Sequence, residues 1–190
     1  MQIVMIKTVM MMLIMCVMAQ VNPVQAQGSD FSDARILGGG FSLSYGYDYP
    51  FGRDLSIPPM IAYLEMGMHE FVTVGPFIAF SRWEYRDRMR SFMTIGGRGS
   101  FHLTPLINDW FDATIDEREW DFYGSMATGF GFRRYGASDY DDESGFFRNV
   151  RFFIGPVVGA RYYLADPVAV YAEMGVGPLG ALTVGVSVDL

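Results

Sequence analysis

The sequence is short of most residues that carry chemistry. Its 190 positions hold one cysteine (Cys16), one lysine (Lys7) and two histidines (His69 and His102). Cys16 falls in an N-terminal stretch with the character of an export leader, so the mature chain is expected to lack thiols altogether. That excludes disulfides and thiol catalysis. Without Lys7 every remaining basic residue is arginine: 13 of them against 21 acidic side chains. The resulting net negative charge makes a poor nucleic-acid binder, because phosphate contact needs a basic surface. Long apolar runs are missing too: past residue 26 nothing approaches the ~20 residues a membrane-spanning helix needs.

Yet the composition is apolar. Hydrophobic residues make up 51% and charged residues only 18%, where soluble domains carry about a quarter. Apolar content without an apolar run implies hydrophobicity spread by alternation. Aromatics at 16% and 22 glycines fit strands and tight curvature better than helices.

Residues 1–26 read as a cleaved signal peptide. Lys7 supplies the positive charge, Val9–Met18 is the apolar stretch, and Val24-Gln25-Ala26 offers the cleavage site. A lipoprotein leader is the rival reading, since Leu13-Ile14-Met15 precedes Cys16. Bulky Met15 stands where such a signal wants a small residue.

From about Ile36 the chain alternates with period two, the mark of strands with one apolar face. The last segment is cleanest: Leu182, Val184, Val186, Val188 and Leu190 share one face, and Thr183, Gly185, Ser187 and Asp189 the other. Similar segments are expected at Phe41–Tyr47, Met60–Met68, Phe71–Tyr85, Met93–Leu103, Phe122–Phe132, Ile154–Tyr162 and Val168–Val176, giving eight strands. The facing of the third is open, and Pro76 marks a candidate bulge in it.

Alternation alone fits a soluble sandwich equally well. The second face decides. It carries mainly Gly, Ser, Ala and Thr, with isolated mid-strand charges at Glu65, Arg98, Arg161 and Glu173. Large residues facing lipid and small or charged ones facing a narrow lumen describe a closed antiparallel up-and-down transmembrane barrel. Closure also satisfies every backbone group within lipid. Connections near His69-Glu70 and Ala165-Asp166-Pro167 are tight; those at Tyr49–Pro58 and Tyr135–Asn149 are long. Short turns belong on the periplasmic side, which puts the long loops outside. The stretch from Pro105 to Trp120 breaks that rule, and Leu106, Ile107, Trp110 and Phe111 at near-helical spacing predict a short interfacial helix at about 105–115. Aromatics near strand ends suit interfacial girdles: Tyr45, Tyr47 and Tyr49 at the outer rim; Phe101, Trp110, Trp120 and Tyr162 at the inner one.

On this pattern the chain from Ile36 to Leu190 resembles the small eight-stranded outer-membrane β-barrel proteins. These are of the type common in Bacteroidetes and similar in architecture to the OmpA and OmpX barrels. The C-terminus resembles the signal read by the barrel-assembly machinery, with Thr183, Gly185, Val188 and Leu190 in the matching places. Leu190 departs from it, since the family usually ends in an aromatic residue, so weaker recognition is expected. The resemblance implies an integral outer-membrane protein meeting lipid and lipopolysaccharide, assembled by that machinery, and says little about activity. Residues 27–35 are then a short lead and 36–190 the barrel domain.

The inward charges are the candidate site. Tyr63-Leu64-Glu65-Met66-Gly67 and Tyr171-Ala172-Glu173-Met174-Gly175 are near-repeats, and Arg98 and Arg161 lie on neighbouring strands. All four charges should share one layer of the lumen, as Arg–Glu pairs that either plug it or exchange partners as a gate. An eight-strand lumen is only wide enough for side chains to fill, which favours the plug. A Ser100–His102 pair with an acidic partner is conceivable as a lipid-modifying centre but lacks a nucleophile-elbow context. The acidic run Asp139-Tyr140-Asp141-Asp142-Glu143 lacks the spacing of a calcium loop. No catalytic, cofactor or metal site is expected. The expected role is therefore structural or surface-interacting, through the outer loops. The alternatives are a narrow channel or a transporter of small or hydrophobic solutes. A soluble calycin-like barrel and a lipid-modifying enzyme stand further off.

Overall fold

The computed structural model describes residues 31–43, 55–85, 88–135, 150–176 and 181–190. The leader with Lys7 and Cys16, the Tyr45, Tyr47 and Tyr49 aromatics and the acidic run of residues 139–143 lie outside them.

Eight strands follow one another around a closed sheet: β1 (Arg35–Leu43), β2 (Leu55–His69), β3 (Val72–Tyr85), β4 (Arg88–His102), β5 (Trp120–Tyr135), β6 (Val150–Ala165), β7 (Val168–Gly175) and β8 (Leu182–Asp189). Each is antiparallel to the next, and β1 closes on β8 from Ile36 opposite Asp189 to Leu43 opposite Leu182. Among the described residues one short helix, α1 (Thr104–Phe111), sits between β4 and β5. This is the up-and-down barrel that the alternation calls for.

The facing follows the alternation strand by strand. Met66, Ile95, Met126, Phe130, Ile154, Val158, Met174, Val184 and Val186 are exposed on the outer wall, while Tyr63, Glu65, Arg98, Tyr123, Arg161 and Glu173 are buried in the bore. An outer wall of this kind would be unstable in water, where exposed apolar area costs roughly 25 cal/mol per Å².

The alternation at Phe41 continues a strand that begins at Arg35. The Gly38-Gly39-Gly40 run therefore lies inside β1, and its role is steric. A Cβ on Gly38 would stand 2.0 Å from the Tyr63 ring, and one on Gly40 2.5 Å from the Tyr171 hydroxyl. Pro76 makes no bulge: β3 pairs with β4 in unbroken register from Val72 opposite Phe101 to Tyr85 opposite Arg88. Pro76 is exposed on the outer wall and, having no N–H, gives up one ladder hydrogen bond without breaking the register. Connection lengths do not alternate strictly either, since only Arg86 and Asp87 separate β3 from β4 at the long-loop end.

The wall is uneven in height. β3 to β6 are 14 to 16 residues long, whereas β7 and β8 have 8 each. β6 meets β7 only from Val157 opposite Gly175 onward. Residues 150–155 of β6 thus pair with β5 on one side and with no described strand on the other.

At the end of the barrel where the chain finishes, α1 begins with Pro105 in its first turn, where a missing N–H costs nothing. Asn108 ties the following loop to the helix, accepting from Ile115 N at 3.0 Å and donating to Ile115 O at 2.9 Å and Glu117 Oε1 at 2.8 Å. Trp110 and Phe111 are each 74% exposed. Trp120 stacks on Phe122 and leans on Tyr162 at 4.7 Å. These aromatics ring this end as the girdle reading expects.

Ile95 stands opposite Ile78 and Phe130 in mid-wall. Ile95→Arg should cost about 2–4 kcal/mol when the protein is unfolded by urea from lipid vesicles. A loss within the ~0.5 kcal/mol typical of water-exposed positions would contradict a lipid-facing wall.

Candidate functional site: the buried charge cluster

Adjacent strands bring their inward polar residues to one level of the bore. β2 supplies Glu65, β3 Thr73, β4 Arg98, Ser100 and His102, β5 Asp121, Tyr123 and Ser125, β6 Arg161, and β7 Glu173. All are buried. Charges so far from water are stable only when paired and hydrogen-bonded.

Arg98 is the hub. Its Nε faces Glu65 Oε1 in an ion pair, and its Nη2 donates to Glu173 Oε1 at 2.8 Å. Nη2 also reaches Ser125 Oγ at 3.1 Å. The guanidinium lies over the Tyr63 ring, 4.3 Å from its centroid. The remaining acceptors are supplied with donors. Ser100 donates to Glu65 Oε1 and Thr73 to Glu65 Oε2, both at 2.8 Å, and Tyr123 donates to Glu173 Oε1 at 2.9 Å. With its hydrogen committed to Glu65, Ser100 accepts from Ser125 at 2.7 Å.

A second group lies nearer the chain's C-terminal end. Arg161 Nη1 donates to Asp121 Oδ2 at 2.8 Å, and His102 Nδ1 faces both oxygens of Asp121 at 2.9 and 3.0 Å. His102 Nε2 stands 3.1 Å from Thr73 Oγ1. The His102 ring thus bridges Asp121 on β5 and Thr73 on β3. Tyr123 separates the groups, with Arg161 at 4.8 Å from its ring centroid.

The expected Arg–Glu pairing is therefore met on one arginine only. Arg98 takes both glutamates, and Arg161 is paired with Asp121 instead. Asp121 could have been found from sequence, since it shares the parity of Tyr123 and Ser125. Thr73 could not while the facing of β3 was open. The Ser100–His102 pair does not form: the hydroxyl beside His102 is that of Thr73. Asp121, His102 and Thr73 stand in the order of a hydrolytic triad, but the hydroxyl hydrogen points to Glu65 and the three residues are at most 2% exposed. The arrangement holds charge in place and presents no nucleophile. Thr183, Gly185, Val188 and Leu190 lie along and just past β8, with Thr183 and Gly185 on its inner face.

No protein-family profile matches the chain, and no curated protein matches its sequence. Among solved structures it is similar to the N-terminal β-barrel domain of Pseudomonas aeruginosa OprF, with a TM-score of 0.51 and 11% identity over 86% of this chain and 100% of that one. Yersinia pestis Ail in a phospholipid bilayer nanodisc gives a TM-score of 0.49 at 10% identity, covering 83% of this chain and 99% of Ail. The fold is thus a closed eight-stranded antiparallel β-barrel of the outer-membrane type. Within that class the OprF domain is the structure whose likeness carries the assignment, at the level of fold alone.

Arg98→Met should destabilise the barrel by about 3–5 kcal/mol, because it strands two buried carboxylates. Adding Glu65→Gln and Glu173→Gln should restore most of the loss. Urea unfolding followed by tryptophan fluorescence reads both, and a triple variant no more stable than Arg98→Met would show that the pairing is not the cause.

Proposed function

We propose that this is an integral, non-enzymatic outer-membrane protein whose bore is plugged by its own side chains. Its role is structural or surface-interacting, exercised at the barrel end opposite Leu190. The observation that carries the reading is the filled bore. Above the ion-paired layer, Ile61, Phe77, Ala79, Ala127 and Tyr171 form one apolar cluster with Phe92 and Phe153 packed against it. Among the described residues both polar and apolar side chains occupy the bore, which supports a plug over a channel.

In this reading residues 1–26 direct export and are removed, and the end carrying α1 and Leu190 lies in the periplasm. Thr183, Gly185, Val188 and Leu190 are read by the assembly machinery, and the wall meets lipid and lipopolysaccharide. The tall side of the barrel then projects outward. A membrane strand needs only about 9–11 residues, so the 14 to 16 of β3 to β6 reach beyond the bilayer.

The second reading, lateral binding of a hydrophobic molecule, has one observation behind it. A groove of about 460 Å³ runs along the outer wall beside α1, between Leu103, Ile107, Phe122, Val158, Ala172 and Met174.

Purified protein should show heat-modifiable gel migration and should be silent in planar bilayers. The Glu65→Gln, Glu173→Gln double variant should stay silent and only unfold more easily. Discrete conductance steps from either protein would overturn the plugged reading, and partition into the soluble fraction with no migration shift would overturn the membrane reading.

A further inference from the structure

The cluster is closed on its third side by a piece of chain that belongs to no strand. Residues 31–34 turn back on themselves just before β1, with Ala34 N donating to Phe31 O at 3.1 Å. The turn is pinned to the β2–β3 hairpin by Phe31 N to Glu70 O at 3.0 Å and by Gly67 N to Ala34 O at 2.8 Å. β2 admits it closely, since a Cβ on Gly67 would stand 1.9 Å from Phe31 O. Phe31 lies flat on His102, with ring centroids 3.7 Å apart and planes at 11°. Ala34 is buried with it, whereas Ser32 and Asp33 face outward.

We propose that Phe31–Ala34 is a lid over the C-terminal mouth of the bore, latched by the stacking of Phe31 on the His102 ring. The chemistry of the latch is the face-to-face contact of two flat rings, one of them held from below by hydrogen bonds. Beneath the ring lie Asp121 on β5 and Thr73 on β3, the latter linked to Glu65 on β2. Arg161 on β6 is reached through Asp121, and Tyr123 stands 6.1 Å from His102. The lid is joined to the barrel through backbone bonds, the ring stack and the burial of Ala34. When it lifts, water reaches His102 and Asp121 while Arg98 and its glutamates stay paired. The inference does not depend on which side of a membrane this mouth faces.

With only two histidines, the test is clean. In micelle-solubilised full-length protein labelled with ¹⁵N-histidine, His102 should show a slowly exchanging ring N–H signal. Exposed His69 should show none. Phe31→Ala should speed exchange at the His102 ring by about tenfold or more with heat-modifiable migration retained, whereas Phe31→Tyr should leave it slow. Unchanged exchange in Phe31→Ala, or equal acceleration in Phe31→Tyr, would overturn the lid. Should Phe31→Ala fail to assemble, Phe31→Leu keeps the bulk without the aromatic face. Faster exchange in that variant supports the latch, and wild-type exchange refutes it.

Discussion

Closing eight strands on themselves sets a bore no wider than the side chains that fill it, and most of the interior follows from that width. An inward tyrosine needs a small residue beside it on the next strand. Tyr63 therefore lies over Gly38, Tyr123 over Gly159, and Tyr171 against Gly40 and Gly185. Closure also removes both sheet edges within the spanning height, which in hydrocarbon is the only way a sheet satisfies its backbone. The small-residue face in the sequence is this constraint written out along the chain.

The charges answer a different demand. A bore too narrow for bulk water must neutralise whatever it buries. The barrel does so with a hub, one guanidinium between two carboxylates, beside a separate Arg161–Asp121 pair. Removing the Arg98 guanidinium leaves both glutamates without their counter-charge. Such networks are weak evidence for extra stability, but they do fix which strand stands beside which, because β2, β4 and β7 must bring their charged residues to one height.

Strand facing was legible wherever large and small residues alternated, as in β8 from Leu182 to Asp189. It was not legible in β1, where Gly38, Gly39 and Gly40 give both faces the same size and hide the start at Arg35. Pro76 obscured β3 in the same way, because a residue without an N–H looks like an interruption when it can also sit quietly on an outer face. That Arg98 takes both glutamates while Arg161 takes Asp121 depends on the stagger between neighbouring strands. Stagger is a property of closure, not of any one segment, so the four charges could be placed inside but not matched. Phe31 stood outside every alternating segment and gave no sign that it would cover His102.

The difference in strand length has a mechanical side. Eight residues at about 3.4 Å each, inclined near 45°, raise β7 and β8 only about 19 Å, less than the roughly 25 Å apolar band usual for such barrels. On the proposed membrane reading, a bilayer around this barrel cannot be equally thick all round it. Beside the short strands it would pinch inward, or the whole barrel would lean until the low rim is covered. The outline would then carry a preference for thin membrane on one flank, with lopsided lipid packing around it.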